Sequence, residues 1–304
     1  MSKYIKIASV QFDEKCAARL DPDAPAKILK QVQENMKDIE VHNPDLVVFC
    51  EGVESRGILV SRAESFDEPG IFLECYRDFA VKQQCHVAGS VKLREYGKVY
   101  NSVAIISPTG EFLGAYHKNF LVLSEVDSGL SAGNGAVVID TDIGRIGGVI
   151  CFDLNYHDLL RQYRELMPDI IVFPSMFHGG LMQSTWAYEC QSYFVGALFF
   201  HGTGIRDPFG RVVDETDCHH EIAVARVNMD RVMLHNDFNQ DRFDDIRRKY
   251  GDKVRLDIPK NIGCCLLFSE SDEFSAMDIV KEFNLELRND YLERSRQYCR
   301  GEGE

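Results

Sequence analysis

The sequence has no run of about 20 apolar residues, the length that a membrane-spanning helix needs. We expect no basic, apolar leader either, because MSKYIKIASVQF turns directly into a strand-like pattern. Positive charge is scarce: 34 lysines and arginines are outnumbered by 48 aspartates and glutamates, which gives a net charge of −14. Such a surface repels nucleic acids and anionic membranes. We therefore expect a cytoplasmic protein that binds a small molecule, with neither nucleic acid nor membrane as a partner.

The sequence also lacks a cysteine framework. Its ten cysteines include no CxxC pair, and a chain of 304 residues does not need disulfides to stabilise it. We expect reduced thiols, most of them small apolar residues of the core. The segment CHHE, residues 218–221, contains metal-ligand residue types, but adjacent side chains on an extended segment point to opposite faces. We therefore predict no metal site there.

Strand and helix patterns alternate along the first three quarters of the chain. Residues 26–41 place apolar side chains on one helical face, and residues 45–51 form a short apolar run typical of a buried strand. Further on, GIRDPFGRVVDET and EIAVARVNM are predicted to form a late hairpin. This mixture favours an α/β protein in which helices cover mixed sheets, with a single domain over residues 1–304.

The pattern changes beyond Asn236. NQDRFDDIRRKYGDKVRLD is strongly charged, IGCCLLFSES has the composition of a short strand, and SAMDIVKEFNLELRNDYLERSRQYCR is predicted to be one long helix. We interpret residues 236–304 as a C-terminal extension, a strand plus a long helix, that packs on the core or on a partner subunit.

Three strand-like segments end in a side chain that can take part in chemistry: VVFCE in Glu51, GAYHK in Lys118 and GGVIC in Cys151. Ligand crevices open at strand ends in α/β sheets, so a carboxylate, an ammonium and a thiol could meet there. A thiol needs a base or a positive neighbour to become a nucleophile, and glutamate and lysine supply these. Backbone amides at the turn after Cys151 would add hydrogen-bond donors.

Each of the three residues also has an ordinary explanation. Cys151 could be a buried core thiol, because free cysteines are often small apolar core residues. Glu51 could cap a helix or carry a surface charge, and Lys118 could be a solvated lysine. Only the combination of the three favours a catalytic site.

The motifs around these residues resemble those of the nitrilase superfamily of carbon-nitrogen hydrolases: VVFCEG around Glu51, YHKNFL around Lys118 and GGVICFDLNY around Cys151. The resemblance extends over about residues 4–230 and includes GIRDPFGRVV, which is similar to the family's DPxG hairpin. It implies a four-layer αββα sandwich with mixed sheets, assembled as a homodimer or higher homo-oligomer, with no metal or organic cofactor. It also implies that Glu51 is the general base and Cys151 the nucleophile, while Lys118 and the backbone N–H of Phe152 stabilise the tetrahedral intermediate.

The resemblance extends to two auxiliary positions. Glu125, seven residues after Lys118, lies where the amidase branches carry a second glutamate, which implies that it orients the substrate or the lysine; a surface-loop glutamate is the alternative. His178 follows the predicted strand DIIVFPS, after which the family places substrate contacts. Asn155 stands where many members carry an arginine, so an arginine-bound substrate carboxylate is not implied here.

These observations predict a hydrolase that cleaves a non-peptide C–N bond of a small amide or N-carbamoyl compound through a cysteine thioester. Two alternatives stay open: a nitrilase that attacks a C≡N carbon with the same thiol, and a noncatalytic scaffold whose long C-terminal helix forms the interface. Glu125 favours the amide, because an extra carboxylate suits the positioning of an amide NH2. The intact trio of reactive residues argues against the scaffold.

Overall fold

The computed structural model describes residues 3–12, 23–52, 60–199 and 202–301. The strands within these ranges are β1 (Tyr4–Val10), β2 (Leu46–Val48), β3 (His86–Glu95), β4 (Lys98–Ile106), β5 (Phe112–His117), β6 (Val138–Thr141), β7 (Gly144–Gly148), β8 (Ile170–Ser175), β9 (Tyr193–Leu198), β10 (Gly204–Arg206), β11 (Val212–Glu215), β12 (Ile222–Asn228), β13 (Arg231–His235), β14 (Val254–Asp257) and β15 (Cys264–Ser269). The helices are α1 (Ala24–Glu40), α2 (Ile71–Gln83), α3 (Leu123–Asp127), α4 (His157–Leu166), α5 (Leu181–Cys190), α6 (Gln240–Tyr250), α7 (Ala276–Phe283) and α8 (Arg288–Arg300). None of these described helices is long and apolar enough to cross a membrane.

The described residues form two compact units, one within Ile5–Val227 and the other made of residues 3–4 and 228–301. The first unit contains two six-stranded sheets, with strand orders β12-β1-β2-β3-β4-β5 and β11-β10-β9-β8-β7-β6. Both sheets are mixed: β1, β2 and β3 run parallel, as do β7, β8 and β9, while hairpins extend each sheet with antiparallel strands. The parallel strands are buried on both faces, which explains why their sequences are continuously apolar.

The two sheets face each other closely. The hydroxyl of Ser9 in β1 donates a hydrogen bond across the interface to the carbonyl oxygen of Gly196 in β9, at 2.8 Å. A Cβ atom at Gly148 would lie only 2.6 Å from the side chain of Tyr116 and 3.0 Å from that of Val103. Because glycine has no side chain, β7 can approach β4 and β5 at this point.

Helices cover the outer faces of both sheets. α1 carries Ile28 and Val32 on one face, where they belong to the same apolar cluster as Phe79 of α2 and Val87 of β3. On the second sheet, the hydroxyl of Tyr163 in α4 accepts a hydrogen bond from the backbone N–H at the end of β7, at 3.2 Å. The four-layer αββα sandwich predicted from the sequence is confirmed.

The predicted late hairpin is wrong in its second half. β10 and β11 do form a hairpin, but β12 lies in the other sheet, beside β1. Between them a turn forms at Asp217, whose Oδ1 accepts hydrogen bonds from the N–H groups of His219 (2.7 Å) and His220 (3.0 Å). β12 buries Ala225 and Val227. Its pairing partner, β1, is distant in sequence, so the local pattern alone does not specify it.

The second unit is a three-stranded antiparallel sheet, β13-β15-β14, together with α6, α7 and α8. The predicted strand IGCCLLFSES is confirmed as β15. The apolar core of this unit includes Leu234, Phe243, Ile246, Cys265, Leu267 and Ile279. The expectation that the C-terminal extension packs on the core or on a partner subunit stays a prediction.

The long C-terminal helix predicted from the sequence is wrong, because the chain forms two helices there. α7 ends at Asn284, which has a φ of +50° in the left-handed region that asparagine tolerates better than most residues. The backbone N–H of Leu285 then bonds to the carbonyl of Val280, and Leu287 pairs with Leu234 of β13 before α8 begins. Leu285 is buried in the core of the unit. Burial of this link between the helices explains the break.

Candidate active site

Cys151 lies in the turn between β7 and α4. A short 3₁₀ turn, Cys151–Asn155, begins at this residue, and Cys151 itself has a φ of +48°. A non-glycine residue in the left-handed region is strained, and such strain persists only where surrounding contacts hold it. The turn places Cys151 in the wall of a cavity, so the strained backbone conformation belongs to a residue that a ligand in the cavity could contact.

Asp153 supplies the contacts that hold this turn. It is fully buried, and its carboxylate accepts hydrogen bonds from four groups: the N–H of Asn119 (3.1 Å), the N–H of Phe120 (2.7 Å), the N–H of Ile150 (3.2 Å) and the hydroxyl of Tyr116 (2.7 Å). Burial raises the pKa of Asp153 to about 7, against the opposite effect of these donors. Two of the donors follow β5 and one follows β7, so a single carboxylate ties the two strand ends together.

We expect Asp153→Asn to lower the free energy of unfolding by about 2–4 kcal/mol. The amide keeps one acceptor oxygen. Its NH2 group, however, would face N–H and O–H groups that donate hydrogen bonds to the second carboxylate oxygen in the wild type. Urea denaturation followed by circular dichroism measures the loss. Asp158→Asn, at an exposed position in the first turn of α4, is the matched control and should change stability by less than about 1 kcal/mol. Equal stability of Asp153→Asn and the wild type would show that the carboxylate does not hold the turn.

Glu51 and Lys118 lie just beyond the ends of β2 and β5, and are only 3% and 1% exposed. The Nζ atom of Lys118 lies 3.1 Å from Oε1 of Glu51 and 2.8 Å from Oε2 of Glu125. The other oxygen of Glu51, Oε2, accepts the backbone N–H of Met176 at 3.0 Å. Buried charges are stable only when paired and hydrogen-bonded, and this arrangement satisfies both conditions.

Asn101 is a residue of the site that the sequence reasoning missed. It is buried in β4, and its NH2 group donates to Oε1 of Glu51 at 2.8 Å and to Oε1 of Glu125 at 2.7 Å. Its backbone oxygen accepts the N–H of Lys118 at 2.8 Å. One amide therefore joins the two carboxylates that flank the lysine. The sequence holds a signal for it, because asparagine is depleted inside strands and KVYNSVAII is otherwise mostly apolar.

Cys151, Glu51, Lys118 and Glu125 line one cavity of about 470 Å³. That volume suits a small organic molecule. The remaining residues that line it in the described part of the chain are Gly52, Val60, Lys92, Asn101, Val122, Ser124, Ser128, Leu130 and Met176. The structure thus brings the three predicted strand-end residues to one place, with Glu125 beside them.

The charges of the cavity determine how its groups ionise. Burial and, after it, the charge of Glu51 raise the pKa of Cys151 to about 12, against the opposing effects of Lys118 and the N–H of Met176. Burial alone would lower the pKa of Lys118, but Glu51, Cys151 and Glu125 together raise it above the ordinary lysine value. Burial alone would raise the pKa of Glu125, but the ion pair with Lys118 lowers this pKa below the ordinary value. At neutral pH the site holds a neutral thiol beside a charged lysine.

His178 lies apart from this cluster. It is exposed, its Nδ1 accepts the N–H of Gly180 at 3.0 Å, and it is absent from the described residues that line the cavity. Phe152 follows the cysteine in the turn and packs edge-on against Tyr156, with ring centroids 5.5 Å apart. Asn155 is exposed and donates to the carbonyl of Phe152 at 3.0 Å. In the described ranges, no group of three or more His, Cys, Asp or Glu side chains is placed to bind a metal ion.

A cysteine, a buried glutamate and a buried lysine thus line one cavity at the strand ends of an αββα sandwich. The model of one family, described as carbon-nitrogen hydrolase, matches residues 6–234. The chain belongs to this family.

Two curated relatives are amidases by name. A deaminated glutathione amidase from Dictyostelium discoideum is 25% identical over 225 residues, which are 62% of this chain and 76% of the relative. The omega-amidase NIT2 from Homo sapiens is 24% identical over 181 residues, which are 50% of this chain and 65% of the relative. The matched part of the chain therefore spans about two thirds to three quarters of these relatives' own lengths.

Solved structures share the fold at low sequence identity. Nit3 from Saccharomyces cerevisiae, a member of the nitrilase superfamily, matches with a TM-score of 0.62 and 21% identity, over 75% of this chain and 91% of that one. A double mutant of the amidase from Nesterenkonia sp. AN1, in complex with acrylamide, matches with a TM-score of 0.63 and 15% identity, over 82% of this chain and 98% of that one. The nitrilase-like fold and the family predicted from the motifs are confirmed.

Proposed function

We propose that the protein hydrolyses the C–N bond of a small amide or N-carbamoyl compound through a thioester on Cys151. One observation carries the proposal: Glu51, Lys118 and Glu125 form a buried, hydrogen-bonded cluster in the wall of the cavity that Cys151 also lines. The family membership supports carbon-nitrogen hydrolysis, and the names of the relatives support an amide as the substrate.

The thiol requires a base because its raised pKa keeps it protonated at neutral pH. Glu51 is that base, and its two oxygens differ in their hydrogen bonds. Oε1 accepts from Asn101 and Lys118, whereas Oε2 accepts from the N–H of Met176. Oε2 therefore has more lone-pair capacity left for the proton of the thiol. Proton transfer to Oε2 generates the nucleophile at the moment of attack, without a standing thiolate.

Lys118 stabilises the oxyanion that forms when the sulfur adds to the carbonyl carbon. An ammonium has three N–H groups, and two of them point to Glu51 and Glu125. Among the described residues no further acceptor takes the third N–H group of Lys118, which is left for the substrate oxygen. The backbone N–H of Phe152, at the start of the turn, is the second proposed donor. Fixed donors of this kind stabilise the negative charge that develops in the transition state.

In the proposed reaction the thiol proton leaves with the nitrogen, and a proton from water replaces it on the sulfur. As the C–S bond forms, the thiol proton passes to Glu51, which then gives it to the leaving nitrogen, so that ammonia or an amine departs and a thioester remains. Water next attacks the thioester carbon and gives a proton to Glu51. The C–S bond breaks, the sulfur regains that proton, and a carboxylic acid leaves. Glu125 orients Lys118 and the amide NH2 through these steps.

A nitrile substrate is the second candidate, since the same thiol can add to a C≡N carbon. Glu125 favours the amide, because its carboxylate lies at the site where an amide NH2 needs an acceptor and a nitrile has no N–H to donate. A noncatalytic scaffold would have no use for a buried ion-pair cluster that costs free energy to desolvate.

Ammonia release from a panel of small amides, ureido acids and nitriles tests the proposed function. We expect turnover of amides or ureido acids, and a mass increase on Cys151 equal to the acyl group when the reaction is quenched early. Turnover of nitriles alone would replace the proposal by a nitrilase. An adduct on another cysteine would overturn the role of Cys151.

We further propose that the protein is cytoplasmic and forms a homodimer or a larger homo-oligomer. None of its nine cysteines in the described ranges forms a disulfide, as expected in a reducing compartment. Met176, Phe177 and Leu181, which follow β8, expose apolar surface of the kind found at subunit interfaces. Sedimentation velocity measures the assembly, and a monomer at micromolar concentration would contradict it.

A further inference from the structure

His117 directly precedes Lys118 in the chain, and the proposed chemistry gives it no role. Its imidazole connects two other side chains of the first sheet. Nδ1 lies 2.8 Å from the hydroxyl oxygen of Ser102 in β4, and Nε2 lies 2.9 Å from Oε2 of Glu95 at the end of β3. The ring also stacks on Tyr100, with ring centroids 4.1 Å apart and an angle of 14° between the planes. Contacts to two neighbouring strands therefore hold one side chain at the end of β5.

The chemistry of the three groups determines the direction of these hydrogen bonds. Burial lowers the pKa of His117 below its ordinary value, against the opposite effect of Glu95, so the ring is neutral at neutral pH and has a single N–H. A carboxylate accepts hydrogen bonds and donates none, so Nε2–H donates to Glu95 and Nδ1 accepts the hydroxyl hydrogen of Ser102. Ser102 is fully buried, where a hydrogen bond is stronger than in water. Both ring nitrogens have a partner, which holds the ring in one orientation.

His117 lies on the outer face of the first sheet. Ala104, two residues after Ser102 in β4, belongs to an apolar cluster between this sheet and α2, so Ser102 faces the helices as well. His117 is directly opposite Ser102 in the β4–β5 ladder and shares its face. Successive residues of a strand point to opposite faces, so Asn101 and Lys118 point inwards, where both line the active-site cavity. The hydrogen-bonded ring and Lys118 thus lie back to back.

Ser102 and His117 form the end of the β4–β5 ladder that lies next to the cavity. β5 ends at His117, and the N–H of Lys118 makes one more hydrogen bond, to the carbonyl oxygen of Asn101 at 2.8 Å. The ends of secondary-structure elements open at a lower free energy than their centres. Side-chain hydrogen bonds across the last pair of the ladder oppose this opening, so they hold the backbone from which Lys118 projects.

The proposed mechanism leaves the ammonium of Lys118 little room to move. Its Nζ atom lies 3.1 Å from Oε1 of Glu51 and 2.8 Å from Oε2 of Glu125, and its third N–H has to point to the substrate oxygen. Catalytic groups need to be held within about 0.5 Å of the productive geometry. A misplacement of about 1 Å can lower the rate roughly 100-fold.

We propose that His117, held by Ser102 and Glu95 on the outer face of the first sheet, is a positioning residue that sets the place of Lys118 in the cavity. It acts through the backbone, because its own side chain faces away from the cavity. This inference rests on the proposed amide hydrolysis, in which Lys118 stabilises the oxyanion.

His117→Phe tests the proposal with the best amide of the panel. Phenylalanine keeps a planar ring that can stack on Tyr100 but lacks both nitrogens. We expect kcat to fall roughly 10- to 100-fold while KM stays within about threefold of the wild type, because an interaction of the transition state is weakened and substrate binding is not. His117→Gln should restore most of kcat, since its amide oxygen can accept from Ser102 and its NH2 group can donate to Glu95.

The rate at which iodoacetamide modifies Cys151 is the second measurement, and it needs no substrate. Lys118 lowers the pKa of Cys151, so an ammonium that moves away from the sulfur leaves this pKa higher and the thiolate fraction smaller. We expect alkylation of Cys151 at about pH 9 to be at least about threefold slower in His117→Phe than in the wild type. A generally loosened site would have the opposite effect, because burial is the largest cause of the raised pKa of Cys151.

His235→Phe is the matched control. His235 lies in β13, stacks on Tyr291 with ring centroids 3.7 Å apart, and is not one of the described residues that line the cavity. The loss of this tyrosine-stacked histidine should change neither kcat nor the rate of alkylation.

Alkylation that is unchanged or faster in a folded His117→Phe protein would overturn the role of His117, because Lys118 has then kept its place or the whole site has loosened. Slower alkylation with an unchanged kcat would overturn it as well. If His117→Phe does not fold, Ser102→Ala removes one hydrogen bond of the ring, and the same two measurements decide. If the wild type hydrolyses no amide, the proposed function fails, whereas slower alkylation still supports the positioning of Lys118 by His117.

Discussion

With Cys151 replaced by alanine, we expect amide hydrolysis to fall by at least about 10⁴-fold while the chain still folds. Among the cavity-lining residues that the structure describes, Cys151 is the one thiol. In the described hydrogen bonds of the site, the serines there do not bond to the side chains of the Glu51–Lys118 pair. Without the sulfur no thioester forms. Initial rates of ammonia release give the loss, and circular dichroism shows that the fold is retained.

Cys299→Ala is the control for this experiment, because Cys299 is exposed on α8 and is not one of the described residues that line the active-site cavity. It should keep the wild-type rate. A Cys151→Ala protein that retained a rate within tenfold of the wild type would show that the substrate carbon is attacked by another group, and the thioester mechanism would be abandoned.

For Glu51→Gln we expect a fall in kcat of about 10²- to 10⁴-fold, the usual contribution of a general base. The thiol is neutral at neutral pH because burial and the charge of Glu51 raise the pKa of Cys151 to about 12. The glutamine variant has nothing to take the proton of the thiol as the sulfur attacks. Steady-state kinetics on the best amide of the panel measures the effect.

The same substitution should act in the opposite direction on alkylation of the thiol. The negative charge of Glu51 raises the pKa of Cys151 and Lys118 lowers it, so removing the carboxylate lowers that pKa and increases the thiolate fraction at alkaline pH. Modification of Cys151 by iodoacetamide at about pH 9 is therefore expected to be faster in Glu51→Gln than in the wild type. Glu34→Gln, an exposed change on α1, should alter neither rate. Slower alkylation together with slower turnover would point to a misfolded site rather than to a lost base.

The strand ends of the site could be predicted from the sequence because the signal is local. Glu51 and Cys151 each close an apolar run, and an apolar run that stops at a reactive side chain marks both the strand and its end. Lys118 follows a hairpin whose turn residues can also be recognised from the local sequence. Mixed sheets covered by helices were predictable in the same way, because helix and strand periods alternate along the chain, whereas the four-layer αββα order was implied by the family resemblance.

The remaining features depend on contacts between distant segments. Nothing near Asn101 in the sequence indicates that its amide will meet Glu51 and Glu125, and nothing near Asp153 indicates its donors after β5. β12 pairs with β1 because of a register that only the folded chain defines. Asn284 ends a helix whose periodicity continues past it, because Leu285 is buried in the core of the second unit.

The missing side chain at Gly148 has a consequence for catalysis. Gly148 stands three residues before Cys151, and Tyr116, which it contacts, stands two residues before Lys118. A methyl group added at Gly148 would act as a spacer between the layers at this point. The close approach of β7 to β5 therefore helps to bring the strand ends that carry Cys151 and Lys118 near each other.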